Sequence, residues 1–375
     1  MRFHTAIILS SMLLSACAQQ GSLSSISWGA DQHLPKQQNQ AHLGVAGPIT
    51  AVLGDYLVLA GGANFPNGLP WENGQKTYQN QGFIYQIDAD RLQLKSEFTL
   101  EDPFAYAGCA SRDDYMYIVG GEDKNGPRTK ALKIHLAENQ EVQIESLASL
   151  PRALTNGGLV YDSNNLYFVG GEDAKEVSNL VYRLNLNNTD AKWEAAIELP
   201  FPLSNAIVAG DGNGKLFIVG GRKKNPLAKS DIYRAVLKVD LTKETVEEIA
   251  ELPYGLAAGT GIYWQNNLLV LGGDDASTFH RVEEYLAKIQ QETDNEAKKR
   301  LIVEKNQIQV QHPGFSKRVW KLDLTNLTWS ELNNIKGESP VTTTALVHDE
   351  TIIIPSGEVK AGIRTDQLLM GTIKH

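Results

Sequence analysis

A pair of glycines closes an apolar run five times in this 375-residue chain: YLVLAGG (56–62), YMYIVGG (115–121), LYFVGG (166–171), LFIVGG (216–221) and LLVLGG (268–273). The pairs recur at intervals of 59, 50, 50 and 52 residues, and a degenerate sixth copy, IIIPSG (352–357), follows after 84, an interval that calls for an insertion. Self-similarity at a fixed period of this size marks a repeat architecture, in which each unit buries its faces against its neighbours. Ten of the 33 glycines sit in these pairs.

A second feature keeps the same period. Trp28, Trp193 and Trp329 stand six residues before Leu34, Leu199 and Ile335, and Ile144 and Val246 stand six before Leu150 and Leu252. Phe98 and Phe104 are read as a weaker copy of this spacing, with Pro103 one place early. Each unit divides into four short apolar stretches separated by Asn, Asp, Gly and Pro turns, which predicts four strands. In the third unit these are Leu154–Tyr161, Leu166–Val169, Leu180–Leu186 and Lys192–Ile197. Four strands in about fifty residues is the length of a kelch-type propeller blade. The expected fold is all-β: a six-bladed β-propeller over 25–375. Counting strands leaves the sixth blade one short after Asp366–Ile373, so Ser25–Trp28 is expected to complete it and close the ring.

Between Thr278 and Phe315 the pattern changes. Phe279, Val282, Tyr285, Leu286 and Ile289 fall at helical spacing, and Asn295–Glu304 repeats the pattern among charges. Two amphipathic helices are expected to leave the fifth blade, either as a lid over the ring or as a structural excursion.

The N-terminus reads as an address. Met1-Arg2, a short apolar run over 6–14 and small residues describe an export signal, too short to span a membrane. Leu14-Ser-Ala-Cys17 is similar to a bacterial lipobox, which would make Cys17 an acylated first residue after the signal (1–17), with 18–24 as a tether. Ordinary cleavage after Ala16 or Ala18 is the alternative. The first reading expects a periplasmic protein lipid-anchored to the outer membrane, the second a free one. Cys109, in an apolar stretch, reads as a buried small hydrophobe. The formal net charge of −9 with scattered basic residues argues against nucleic acid. The eight histidines show no HxH, HExxH or Cys/His ligand spacing, so no metal is expected.

Residues just past the glycine pairs are expected to ring one mouth of the channel: Ala63, Glu122, Glu172, Arg222, Asp274 and Glu358. Polarity there is also what any wet rim would show. Two loops go further. GGANFPNGLPWENGQK (61–76) is long and rich in Asn, Gly and aromatics, which suits sugar hydroxyls and apolar sugar faces. GEVKAGIRTD (357–366) places Glu358 six residues before Arg364 with Gly362 between, a proton-transfer carboxylate beside a fork that clamps acid groups. A surface ion pair would look the same.

The segments GVAGPITAVLGDYLVLAGGANFP (44–66) and GEVKAGIRTD (357–366) resemble the sialic acid mutarotases, or N-acetylneuraminate epimerases, bacterial periplasmic six-bladed kelch propellers. In the usual members the second segment precedes the first; here the order is reversed, as in the cyclically permuted branch. The resemblance implies Glu358 and Arg364 as catalytic residues, no cofactor, and an acidic sugar as partner. Ala361 stands where the family has Pro, and Phe104 where it has Arg. Asn64, Arg152, Arg222 and Glu172 are weaker binding candidates. The implied chemistry is interconversion of α- and β-sialic acid by acid–base opening of the hemiketal ring. A non-catalytic kelch module binding glycan or protein at the envelope, or an enzyme for another acidic sugar, stays open at this point.

Overall fold

The computed structural model describes residues 23–375 apart from 38 and 138–140; the export signal and Cys17 lie outside the described residues. Six four-stranded antiparallel sheets form the blades of a propeller. Blade one runs Ile49–Leu53, Tyr56–Ala60, Gln81–Ile87 and Leu92–Thr99 from axis to rim, and blades two to five repeat this order. Blade six takes its inner three strands from the C-terminal end and its outer strand from Ser25–Trp28, which pairs with Gly371–Lys374. The expected closure is observed. Ile26 tightens it, exchanging backbone bonds of 2.7 and 2.6 Å with the Asn333 side chain of blade five.

The core is divided as the repeat demands. Six apolar clusters occupy the six interfaces between neighbouring blades, such as Val169, Val181, Leu216 and Leu237 between blades three and four. Inner strands buried on both faces explain apolar runs without alternation. At each glycine pair both residues have positive φ, and an ideal Cβ at Gly170 would lie 2.3 Å from the Leu203 carbonyl oxygen of the next blade. The sixth copy survives with Ser356 at φ +57° because its hydroxyl accepts the Val45 N–H and lies 2.7 Å from the Thr365 carbonyl.

Two sequence readings are corrected. In blade three the first strand is Gly158–Asp162, since Thr155 bridges to Glu172 and Asn156 takes a left-handed turn. In the second signature the member for blade one is Leu100, not Phe104: the Leu100 N–H donates to Asn80 as Leu150 does to Thr129 and Leu199 to Asn179. Phe104 instead corresponds to Leu154 and Leu203, each of whose carbonyls accepts the N–H of a second pair glycine.

Helices α1 (Ser277–Gln291) and α2 (Asn295–Val310) leave blade five after its second strand. Helix α2 starts on Asp294, whose side chain accepts the Ala297 N–H, and runs past Glu304 because no Gly or Pro interrupts it before Pro313. Glu283 of α1 accepts the Ser230 N–H and hydroxyl of blade four at 2.9 and 2.6 Å. The Asn306 side chain of α2 reaches the Trp71 carbonyl of blade one at 3.5 Å. The insertion is thereby laid across the mouth of the ring. Among the described residues no helix is long and apolar enough to cross a membrane.

Candidate active site

Two backbone devices build the site. Six residues entering the blades, Gly47, Tyr106, Asn156, Asn205, Ala258 and Thr342, all have φ between +50° and +61°. Each donates its N–H to the carbonyl of the one before it, and Gly47 donates to Thr342, closing a ring of hydrogen bonds of 2.7–3.0 Å around the axis. Just above, each rim residue exchanges two backbone hydrogen bonds with an entry residue: Ala63 with Ala46, Glu122 with Ala105, Glu172 with Thr155, Arg222 with Ser204, Asp274 with Ala257 and Glu358 with Val341. The hydrogen-bonded ring is a floor and the rim positions are the wall.

Above that floor lies a cavity of about 450 Å³, within the roughly 300–1,000 Å³ range of small-molecule sites. Glu122, Glu172, Arg222, Asp274 and Glu358 all line it, so five of the six rim positions converge there. Phe279, Val282 and Phe315 of the insertion supply an apolar roof.

Glu358 and Arg364 lie directly opposite each other on a short hairpin, Glu358–Lys360 paired with Ile363–Arg364. This ribbon was not foreseen from the sequence. Arg364 Nη1 is 3.1 Å from Glu358 Oε1, which also accepts the Gly362 N–H at 2.7 Å. Arg364 Nε donates to the Ala63 carbonyl at 3.4 Å, and its guanidinium lies 4.9 Å from the centre of the Phe65 ring. The arginine side chain is 5% exposed and the glutamate 19%. Glu358 therefore faces the cavity and Arg364 stands behind it. Gly362 holds the bend at φ +75°, where an ideal Cβ would come 2.9 Å from Pro70 Cδ. The hairpin is thus wedged against the blade-one loop, and Ala361 lines the cavity.

The remaining candidates divide. Glu172 Oε1 accepts from Arg222 Nη2 at 3.1 Å, Asn156 Nδ2 at 3.0 Å and Asn205 Nδ2 at 3.4 Å. Arg222 also lies 5.1 Å from the Phe279 ring centre. These two line the cavity but are largely committed to each other. Asn64 is buried and spends its amide on the Gly44 carbonyl and on Gln79, both at 2.9 Å. Arg152 pairs with Asp173 at 2.7 Å and Glu176 at 2.8 Å. Neither is part of the cavity lining. Phe104 is buried beneath the Arg128 guanidinium, 4.0 Å from its ring centre. Cys109 lines the channel on the other side of the floor, where burial pushes its thiol up to about 12.

The structure adds residues to which the sequence reading gave no role. Lys76 reaches the cavity from the long loop and pairs with Glu122, which also accepts the Tyr78 hydroxyl at 2.7 Å. Tyr106, which lines the cavity beside Arg364, has its phenol held up to about 12 by burial. His312 closes the far side and is kept below the usual imidazole range by burial and by Lys360. Asp274 is raised to about 6, first by burial and then by Asp275 and Glu358. Its place after the fifth glycine pair was the only signal. Among the described residues no group of three His, Cys, Asp or Glu side chains is disposed to hold a metal.

Fold and site define a six-bladed kelch-type propeller with a roofed, charged cavity at one mouth. A family model described as N-acetylneuraminate epimerase matches residues 147–375, more than half of the chain, and the chain belongs to that family. The match includes Glu172, Arg222, Asp274, Glu358 and Arg364 and leaves out Asn64 and Lys76. N-acetylneuraminate epimerases of Salmonella typhi and Salmonella arizonae are each 24% identical, over 63% of this chain and 60–61% of their own length. Beta-scruin of Limulus polyphemus is 29% identical over 36% of this chain and 15% of its own. The chain thus aligns with about 60% of the length of the epimerases it matches.

Proposed function

We propose that this protein accelerates the exchange of α and β anomers of N-acetylneuraminate, or of a closely related acidic sugar, by acid–base opening of the hemiketal ring without a cofactor. The observation that carries the reading is the Glu358–Arg364 pair: a carboxylate facing a sugar-sized cavity with a guanidinium 3.1 Å behind it, in a chain of this family. Glu358 takes the proton of the anomeric hydroxyl as the ring opens and returns it as the ring closes on the other face. Arg364 fixes the Glu358 carboxylate from behind, and Lys76, which lines the cavity, supplies positive charge for the sugar's own carboxylate. A positioned acid–base group contributes on the order of 10²–10⁴-fold, enough for a reaction that already proceeds in water.

The two segments that carry the family resemblance meet across the seam, Arg364 resting on Ala63 and Phe65. Such neighbours meet wherever the ring is joined, so the permuted chain order that we propose would keep this contact.

The test is NMR of a freshly dissolved single anomer with purified protein. Anomer exchange well above the protein-free rate is expected; an unchanged rate overturns the reading. We further propose export to the periplasm with acylation at Cys17, anchoring the ring to the outer membrane. Radiolabelled palmitate incorporated by the wild type and lost in Cys17→Ala supports this; equal labelling of the two rejects it.

A further inference from the structure

Four carboxylates line the cavity: Glu122, Glu172, Asp274 and Glu358. Three have a cation within ion-pair distance, Lys76, Arg222 and Arg364 respectively. Asp274 has none among the described residues; its one hydrogen bond from the protein is the Ala276 N–H, 2.8 Å from Oδ1. A carboxylate enclosed without a compensating charge is driven toward its neutral, proton-carrying form.

Its position is equally specific. Asp274 and Glu358 occupy the same rim register of adjacent blades, five and six, held by the same reciprocal backbone bonds. Between them they flank the part of the cavity roofed by the start of α1 and by His312 and Phe315. Opening a hemiketal needs two groups in opposite protonation states, one to take a proton and one to give it.

We propose that Asp274 is the second catalytic residue, the acid that works opposite the base Glu358, an inference that rests on the mutarotase reading above. As Glu358 takes the anomeric hydroxyl proton, the bond from the anomeric carbon to the ring oxygen breaks. Its electron pair stays on the ring oxygen, which receives the proton of Asp274, and the anomeric carbon–oxygen bond becomes a carbonyl. Closure on the other face reverses both transfers. Glu358 and Asp274 regain their starting states, and no co-reactant or net proton is consumed.

The groups facing Asp274 act in both directions, and burial is the largest of them. Burial, Asp275 beside it and Glu358 on the neighbouring blade raise it to about 6, while the Ala276 N–H and Arg222 of blade four pull the other way. His312 of the insertion, which lines the same cavity, is itself held toward its neutral form. An acid that works while protonated loses activity as pH rises through its pKa, so the catalysed rate should fall above about pH 6.

The experiment measures anomer exchange of N-acetylneuraminate by NMR from pH 5 to 8, with protein-free rates subtracted, together with affinity by calorimetry. Asp274→Asn is expected to lose on the order of 10²-fold or more in rate, with affinity within threefold of wild type and the fall above pH 6 abolished. Asp274→Glu, which keeps a carboxyl group there, should retain more rate and displace that fall. An Asp274→Asn protein with near wild-type rate and pH profile overturns the proposal, as does a rate loss matched by an equal affinity loss. If Asp274→Asn does not fold, an undisplaced pH limb in Asp274→Glu overturns it. No acceleration by wild type at any pH would instead overturn the mutarotase reading itself.

Discussion

Glu172 and Glu358 occupy one backbone position in two blades, each tied to its entry residue by two hydrogen bonds and each beside an arginine. In blade three the carboxylate is filled: Arg222, Asn156 and Asn205 converge on Oε1, and the side chain is 9% exposed. In blade six Glu358 receives, among the described residues, only the Gly362 N–H and the arginine, and the side chain is twice as exposed. Side-chain identity thus says little about role on a symmetric scaffold. What separates a structural carboxylate from a reactive one is how much of its hydrogen-bonding capacity the protein has already used.

That comparison can be broken in several ways. Removing residues 22–35 takes away the strand that blade six borrows and the buried Leu23, Ile26 and Leu34, and is expected to abolish cooperative melting of both regions together. A truncated chain that melts like wild type would refute the closure. Next in size, Glu358→Gln should reduce catalysed anomer exchange on the order of 10²–10⁴-fold while leaving the melting temperature within a few degrees. Full activity in this variant would place the chemistry elsewhere.

Glu172→Ala should behave in the opposite manner. It strands Arg222 and two amides in a largely enclosed site, so destabilisation of about 3 kcal/mol is expected in urea unfolding, with rate loss no greater than the loss of folded protein. A soluble, fully stable Glu172→Ala with no activity would make blade three the reactive side. The smallest effect belongs to Arg152→Ala, which breaks partly exposed ion pairs with Asp173 and Glu176. A change below about 1 kcal/mol is expected, with sugar affinity by calorimetry unaltered; a clear affinity loss would extend the site beyond the cavity.

Much of this architecture was legible before any coordinates, because glycine pairs and the Leu/Ile anchors answer to local constraints that repeat. Positive φ at both glycines and close approach to the next blade leave almost no choice of residue, so the signal survives at every copy and only Ser356 departs from it. The six-residue ring of the floor has the same six-fold regularity yet was invisible. Its members are Gly, Tyr, Asn, Asn, Ala and Thr, since a left-handed residue held by two main-chain bonds constrains its side chain weakly. The roles of Asp274 and Lys76 were hidden for another reason. Asp274 stands out only by the absence of a cation, and Lys76 only by a fold of its long loop. Asn64 and Arg152, weaker binding candidates from the sequence, lie outside the cavity lining and bond to neighbouring loops.

The ring at the floor has an electrical consequence. Its six N–H···O=C hydrogen bonds follow one another around a closed circle, so their components along the tangent cancel. Helix termini attract ions because aligned dipoles add along an axis; here they cancel by closure, and every N–H in the circle is already used. The ring therefore offers no free N–H to whatever enters from above. Selection between anions, cations and neutral guests is left to side chains alone, and one substitution on the wall can reverse it.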